Sequence, residues 1–432
     1  MRKIRRRLSV LLAAAMALGT MSMGVQAEEK PFDGVTLNVV GVENVISATW
    51  KEHFAEFEEA TGIKIEFQQF SNEQASQKIA VSMAAGGADI DVMMIRPLDE
   101  TLLYSQNGWL ENLDPYIAED GEEMEYDDFM EACKDVCSGE AENAVALPMM
   151  TESGVVYYNK TMFEEAGITE LPTTWEELYE VAAKLHNPDE NICGFACRGA
   201  GNPSVTQFSA VLRSFGADFF DENGTATLNT PEAVEAFEFY GKLLRECGPT
   251  GVLNMGWTET WNLFTQGNAA MRMDANTNLG SWSDDDSVIS YDEIGFFDVP
   301  VGPNGDYGNY YITAWALAMS TGSENKEAAW EFMKWATSKE MQITAQQNGS
   351  SGARLSCWEG DYSVYPKEVQ NLAAIAGQNG YGSDRPFMIN VARGRDIIGE
   401  IVVAAIEGEE DIQAIADKQN VEFQELLDSE KQ

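Results

Sequence analysis

Apolar and polar positions alternate through Val35-Thr36-Leu37-Asn38-Val39-Val40, a period of two that predicts a strand with one face in a core. The period then lengthens: Trp50, Phe54 and Phe57 share one face of a helix, and Gly62 stands where that helix stops. Ile63-Lys64-Ile65-Glu66-Phe67 alternates again, and Asp91-Val92-Met93-Met94-Ile95 forms a short apolar run. The rhythm resumes at Gly154-Val155-Val156-Tyr157-Tyr158-Asn159. Thr174 and Glu177 form a capping box ahead of Leu178, Val181, Ala182 and Leu185, predicting a helix to about His186. Further helices are predicted over about 231–246, 326–338 and 411–428, with a strand at Ile294-Gly295-Phe296-Phe297. Strands alternating with helices predict an α/β fold around a parallel sheet.

The first residues break this pattern. Arg2, Lys3, Arg5, Arg6 and Arg7 precede an apolar run from Leu8 to about Leu18, and Val25-Gln26-Ala27 reads as a small-residue cleavage site. Residues 1–27 are thus expected to be a signal peptide cleaved near Ala27, its apolar run shorter than the roughly 20 residues of a membrane span. The first cysteine is Cys133, so the cleavage region offers no thiol to carry a lipid. About 405 residues remain, more than one hydrophobic core usually serves, and two domains are expected. Neither a repeat nor a long Pro/Gly linker divides them, which predicts lobes joined by several crossing segments.

Without the leader, 23 basic residues stand against 71 acidic ones, a formal charge of −48. A surface this acidic repels nucleic acid and anionic membranes. It argues more weakly against an anionic ligand, since one local arginine can outweigh a distant surface. Of the six cysteines, Cys193 and Cys197 lie in a predicted strand, where four residues span about 13 Å, too far for a bridge. Cys133 and Cys137 read as neighbours on a helix, a strained arrangement for a bridge, and mostly or wholly free thiols are expected.

Catalytic constellations are scarce. The two histidines, His53 and His186, read as a surface residue and a helix-end residue. No zinc spacing, phosphate loop, dinucleotide fingerprint or nucleophile elbow occurs. Carboxylates are so abundant that a glycosidase-like pair is not excluded by counting, yet none is singled out. Trp330 and Trp335 read as helix packing. Trp257 and Trp315 fall in loop-like or strand-edge segments, where an indole either covers the C–H face of a sugar or packs in a core.

The stretches Leu147-Pro148-Met149-Met150-Thr151-Glu152-Ser153, Tyr157-Tyr158-Asn159-Lys160, Phe163-Glu164-Glu165-Ala166-Gly167-Ile168 and Pro172-Thr173-Thr174-Trp175-Glu176-Glu177-Leu178 resemble the central signature of extracellular solute-binding proteins of the maltose-binding type. The resemblance extends through Leu263–Met271 and Ala328–Glu340. Thr151-Glu152-Ser153, Cys197-Arg198-Gly199, Trp257-Thr258-Glu259, Met273-Asp274-Ala275, Thr313–Ala318 and Gly352-Ala353-Arg354-Leu355-Ser356 are similar to the branch that binds sorbitol, mannitol and related polyols. Asn348-Gly349-Ser350-Ser351 departs from that branch, which usually has proline there.

The resemblance implies a two-lobed type II periplasmic-binding-protein fold with an inter-lobe ligand cleft. Lobe one would comprise 28–150 with 302–349, and lobe two 151–301 with 350–432. It implies a monomeric, secreted receptor for a small neutral carbohydrate or polyol, working with membrane permease subunits of an ABC importer, without cofactor, metal or catalysis. The rivals are an oligosaccharide receptor and a secreted glycoside hydrolase. Asn44, Glu152, Arg198, Trp257, Glu259, Asp274, Trp315 and Arg354 are the candidate ligand contacts: acids and arginines to replace the water lost from hydroxyls, indoles to cover carbon. Several have a structural alternative. Glu152 is otherwise a hinge residue, Arg198 and Arg354 otherwise pair with acids, and Asp274 otherwise caps the segment after a strand.

Overall fold

A computed structural model of the chain describes residues 30–139, 141–283, 285–303, 312–360, 364–379 and 383–431. The expected signal peptide lies outside them. Eight strands form a continuous ribbon: β1 (Thr36–Val42), β2 (Lys64–Phe70), β3 (Val92–Ile95), β4 (Ala146–Asn159), β5 (Cys193–Ala196), β6 (Ala269–Ala275), β7 (Ile294–Phe297) and β8 (Ile312–Met319). Their order is β2-β1-β3-β8-β4-β6-β5, with β7 also on β4. β1 pairs parallel with β2 and β3, and β5 with β6, but β8 and β4 run antiparallel to their neighbours. The sheet is therefore mixed, where the β/α alternation had predicted a parallel one.

The 14-residue β4 joins two sheets. Ala146–Ser153 pairs with β8, and Gly154–Asn159 pairs with β6 and β7. Pro148 lies inside this strand, where the register shifts between Pro148 and Met150. The irregularity accommodates a residue without an N–H, and it explains why the sequence pattern shows a strand only from Gly154.

Helices cover both parts. Asn44 caps the helix Val45–Thr61 in a capping box with Ser47, and Gly62 ends it at φ 86°. Trp50, Phe54 and Phe57 pack from this helix against Phe332. Thr174 and Glu177 cap Trp175–Leu185, which ends at His186. The helices Pro231–Cys247, Lys326–Ala336 and Ile412–Glu430 correspond to the three predicted from periodicity. Gly201–Ser214 and Val391–Glu407 pack together beneath β5 and β6, in a core that includes Phe208, Phe237, Ile397 and Ile401. A separate core surrounds β1 and β3 with Trp50, Met94, Leu317 and Phe332. A third joins the two sides of β4, bringing Met130 and Cys133 against Tyr157 and Val369. All six cysteines are buried free thiols. Burial pushes Cys133, Cys193, Cys197 and Cys357 up to about 12, so they remain protonated and inert.

Candidate functional site

β4 delivers Glu152 beside the point where its pairing partner changes, opposite Thr313 of β8. The carboxylate is half-buried and its Oε1 accepts a hydrogen bond from Thr277 Oγ1 at 3.0 Å. Burial pushes its pKa above the ordinary carboxylate range; Thr277 and Arg198 pull against this, while Asp384 and Asp274 reinforce it.

β6 delivers Asp274, which is fully buried. Arg198, just beyond β5, grips it with two bonds, Nε to Oδ2 at 3.0 Å and Nη2 to Oδ1 at 2.6 Å. Arg272 Nη2 reaches Oδ2 at 2.8 Å from behind, and the Ala275 N–H donates to Oδ1 at 2.8 Å. Burial alone would raise the Asp274 pKa, but the two guanidinium groups outweigh it and hold the carboxyl below its usual range. Asp274 therefore lies within β6 as an ionised anchor and does not cap the following segment.

Asp384 and Arg385 extend this group. Arg385 donates from Nε and Nη2 to Asp384 at 2.6 and 2.9 Å, and from Nη1 to both Asp99 oxygens at 3.0 and 3.2 Å. Asp99 sits on the helix Pro97–Gln106 that follows β3, so this contact ties the two sides of β4 together. Asp384 is buried, yet Arg385 first, then Arg395 and Arg198, keep its carboxyl below the usual range. Arg96 adds a contact to Asp99 at 3.5 Å.

The remaining predicted residues divide. Trp257 opens the helix Trp257–Thr265 and is 46% exposed, an indole facing out beside the Arg272 pair. Trp315 lies within β8, opposite Met150, and is half-buried against the β1/β3 core; it is not in a loop. Asn44 Oδ1 is occupied by the Ser47 N–H, and its Nδ2 faces the sulfurs of Met94 and Met150 at 3.8 and 3.9 Å. Glu259 is exposed and accepts from the Gly256 N–H, a helix-capping contact.

Arg354 is corrected outright. It is fully buried, with Nε on the Thr337 carbonyl and its Nη atoms on the carbonyls of Glu125 and Met124. Its guanidinium lies 3.9 Å from the Phe129 ring centre and 3.5 Å from Asp128. Those partners fasten the segment after Ser350 to the β1/β3 side, so its donors face structure and not a cleft. The two histidines have the structural roles anticipated: His53 lies near Glu56 at 3.1 Å, and His186 Nδ1 meets the Gly194 N–H.

Sequence reasoning missed Arg272, Asp384, Arg385 and Asp99. For Arg272 a signal existed: in a strand, residues two apart share a face, so Arg272 and Asp274 were bound to meet. Asp384-Arg385 offered only adjacency, since their partner Asp99 is remote in the chain.

Comparison with known proteins agrees with this architecture. The model for the bacterial extracellular solute-binding protein family matches residues 42–343. The chain is 30% identical to the mannitol-binding protein of Pseudomonas aeruginosa over 76% of this chain and 73% of that one. It is 26% identical to the erythritol/L-threitol-binding protein of Mycolicibacterium smegmatis, covering 73% and 69%. A solute-binding protein of an ABC transporter from Agrobacterium radiobacter, solved in complex with ribitol, superposes with a TM-score of 0.77 at 27% identity, over 92% of this chain and 100% of that one. Among the described residues, no helix is long and apolar enough to cross a membrane. A mixed α/β architecture, a charged cluster beside the point where β4 changes partners and a family match over most of its length place this chain among the bacterial extracellular solute-binding proteins.

Proposed function

We propose that this protein captures a small neutral polyol in the cleft between its lobes and hands it, closed, to the membrane permease of an ABC importer. The observation that carries the reading is the mutual neutralisation of the cleft charges. Arg198 and Arg272 face Asp274, and Arg385 faces Asp384 and Asp99. Such a site offers charge-strengthened donors and acceptors without the net field that would favour an ionic ligand. Glu152, whose Oε2 has no protein hydrogen-bond partner among the described residues, would accept from a ligand hydroxyl, with Arg198 donating to a neighbouring one. Trp257 would cover the carbon face. Relatives named for mannitol and for erythritol or threitol, and a ribitol complex in the same fold, support a polyol over an oligosaccharide.

The lobe extents implied by the resemblance, 28–150 with 302–349 and 151–301 with 350–432, gain support from the change of β4 partners between Ser153 and Gly154. Binding without turnover suits Asp274: both oxygens accept from arginines, which leaves a poor nucleophile or proton carrier. Delivery outside the cytoplasm follows from the leader-like residues 1–27. A thermal-shift screen across ribitol, D-mannitol, erythritol, maltose and amino acids tests the reading, because ligand at 100 times its Kd stabilises by about 2.7 kcal/mol. Selective stabilisation by a polyol supports it. Stabilisation by maltose or an amino acid alone contradicts it.

A further inference from the structure

We infer that Arg272 is the positioning residue of this site, a single buried guanidinium that pre-sets both Arg198 and Trp257 before any ligand arrives. The inference deepens the polyol-binding reading and rests on it for the roles of those two side chains. Arg272 has no exposure at all, although a guanidinium is costly to bury without partners. Its Nη2 lies 2.8 Å from Asp274 Oδ2, 2.8 Å from Asn278 Oδ1 and 3.3 Å from the Trp257 carbonyl, and its Nε donates to Thr260 Oγ1 at 3.2 Å. Its flat face lies against aromatic rings, 5.3 Å from the Trp261 centre and 5.7 Å from Tyr157.

Each of these contacts leads to a different part of the site. Through Asp274, Arg272 completes the anion on which Arg198 rests with two bonds, and so fixes where the Arg198 fork points. Through the Trp257 carbonyl and Thr260, itself bonded to the Gly256 and Trp257 carbonyls, it fixes the first turn of the helix that presents the exposed indole. Asn278 stands beside Thr277, the residue that donates to Glu152. Two candidate contacts, one just beyond β5 and one on the Trp257 helix, are thus held to one rigid group. Ordering them in advance removes an entropic cost from binding. The Nη1 of Arg272 is buried without a hydrogen-bond partner among the described residues, as expected of a group placed for what it holds and not for full satisfaction of its own donors.

The test uses the whole ligand-free protein and reads the Arg198 Nε–Hε and Trp257 indole resonances by NMR, in wild type, Arg272→Lys and the near-isosteric Thr260→Val. In wild type both signals are expected to be sharp and rigid. In Arg272→Lys both should broaden or show order parameters typical of mobile side chains, while Arg385, anchored elsewhere, keeps its signal. Thr260→Val should shift the same two signals in the same direction by less. Titration with D-mannitol or ribitol should then show about ten-fold or greater weakening in Arg272→Lys, the scale of a lost hydrogen bond to a charged group. An Arg198 signal already mobile in wild type, or unchanged in either folded variant, overturns the inference. Rigid wild-type signals with no response to any polyol overturn the polyol reading and leave the positioning role standing.

Discussion

Glu152 is held in a place that disfavours its own charge, and that has a measurable pH signature. Its folded-state pKa lies above the unfolded value near 4.5, with burial the largest cause. The folded chain therefore keeps this proton longer than the unfolded chain. Stability falls as pH rises from about 4.5 through the folded-state value and is level above it. Glu152→Gln is expected to raise the melting temperature of the ligand-free protein near neutral pH and to remove this part of the profile, while weakening polyol binding about ten-fold or more. Thermal unfolding between pH 4.5 and 8 checks it; a variant that melts below wild type at neutral pH contradicts it. Arg354 should behave in the opposite way. Arg354→Met leaves the carbonyls of Thr337, Glu125 and Met124 without their donor and is expected to cost about 3–5 kcal/mol in denaturant unfolding. Polyol affinity should stay within about two-fold, because distant sites are nearly additive. The motif around Arg354 identified a residue that matters but not its purpose, which depends on three carbonyls from two other segments of the chain.

The helices and strands were legible in proportion to how one-sided they are. Val45–Thr61 carries the apolar face and the Gly62 stop that the pattern indicated, and Trp175–Leu185 begins at its capping box and ends at His186 as predicted. Gly201–Ser214 escaped because it is buried nearly all round. Ser204, Thr206, Gln207 and Ser209 are buried beside Val205 and Phe208, so no stripe separates polar from apolar. β4 was half-read because Pro148 masks its first half. Caps that could be read should also carry stability. Gly62 adopts φ 86°, and a Cβ there would approach the Asp33 backbone to 2.9 Å. Gly62→Ala is expected to destabilise by more than about 1 kcal/mol, against the gain that Gly→Ala brings at compatible positions. A denaturant midpoint equal to or above wild type would show that the helix end can relax.

At the scale of the molecule, the Asp99–Arg385 contact links the helix after β3 to the segment before Val391. Both side chains are only 17–18% exposed, so salt should screen them weakly. Asp99→Asn is expected to leave each lobe folded but shift the ligand-free protein toward open forms, lowering polyol affinity several-fold by reducing the population able to close. Small-angle scattering should then show a larger change in radius of gyration on adding polyol than wild type shows; an unchanged ligand-free scattering curve contradicts this. The two-lobed plan followed from length, rhythm and family signature. This ion pair did not, since nothing in the chain near Asp99 points to Arg385.

The central claim is that paired charges make this a receptor for a neutral polyol, and calorimetric titration with D-mannitol and ribitol at low and high salt tests it most directly. The account predicts one site per chain, with an affinity nearly independent of salt because the ligand carries no charge. No heat with any polyol, or a preferred anionic ligand whose affinity falls steeply with added salt, would contradict it.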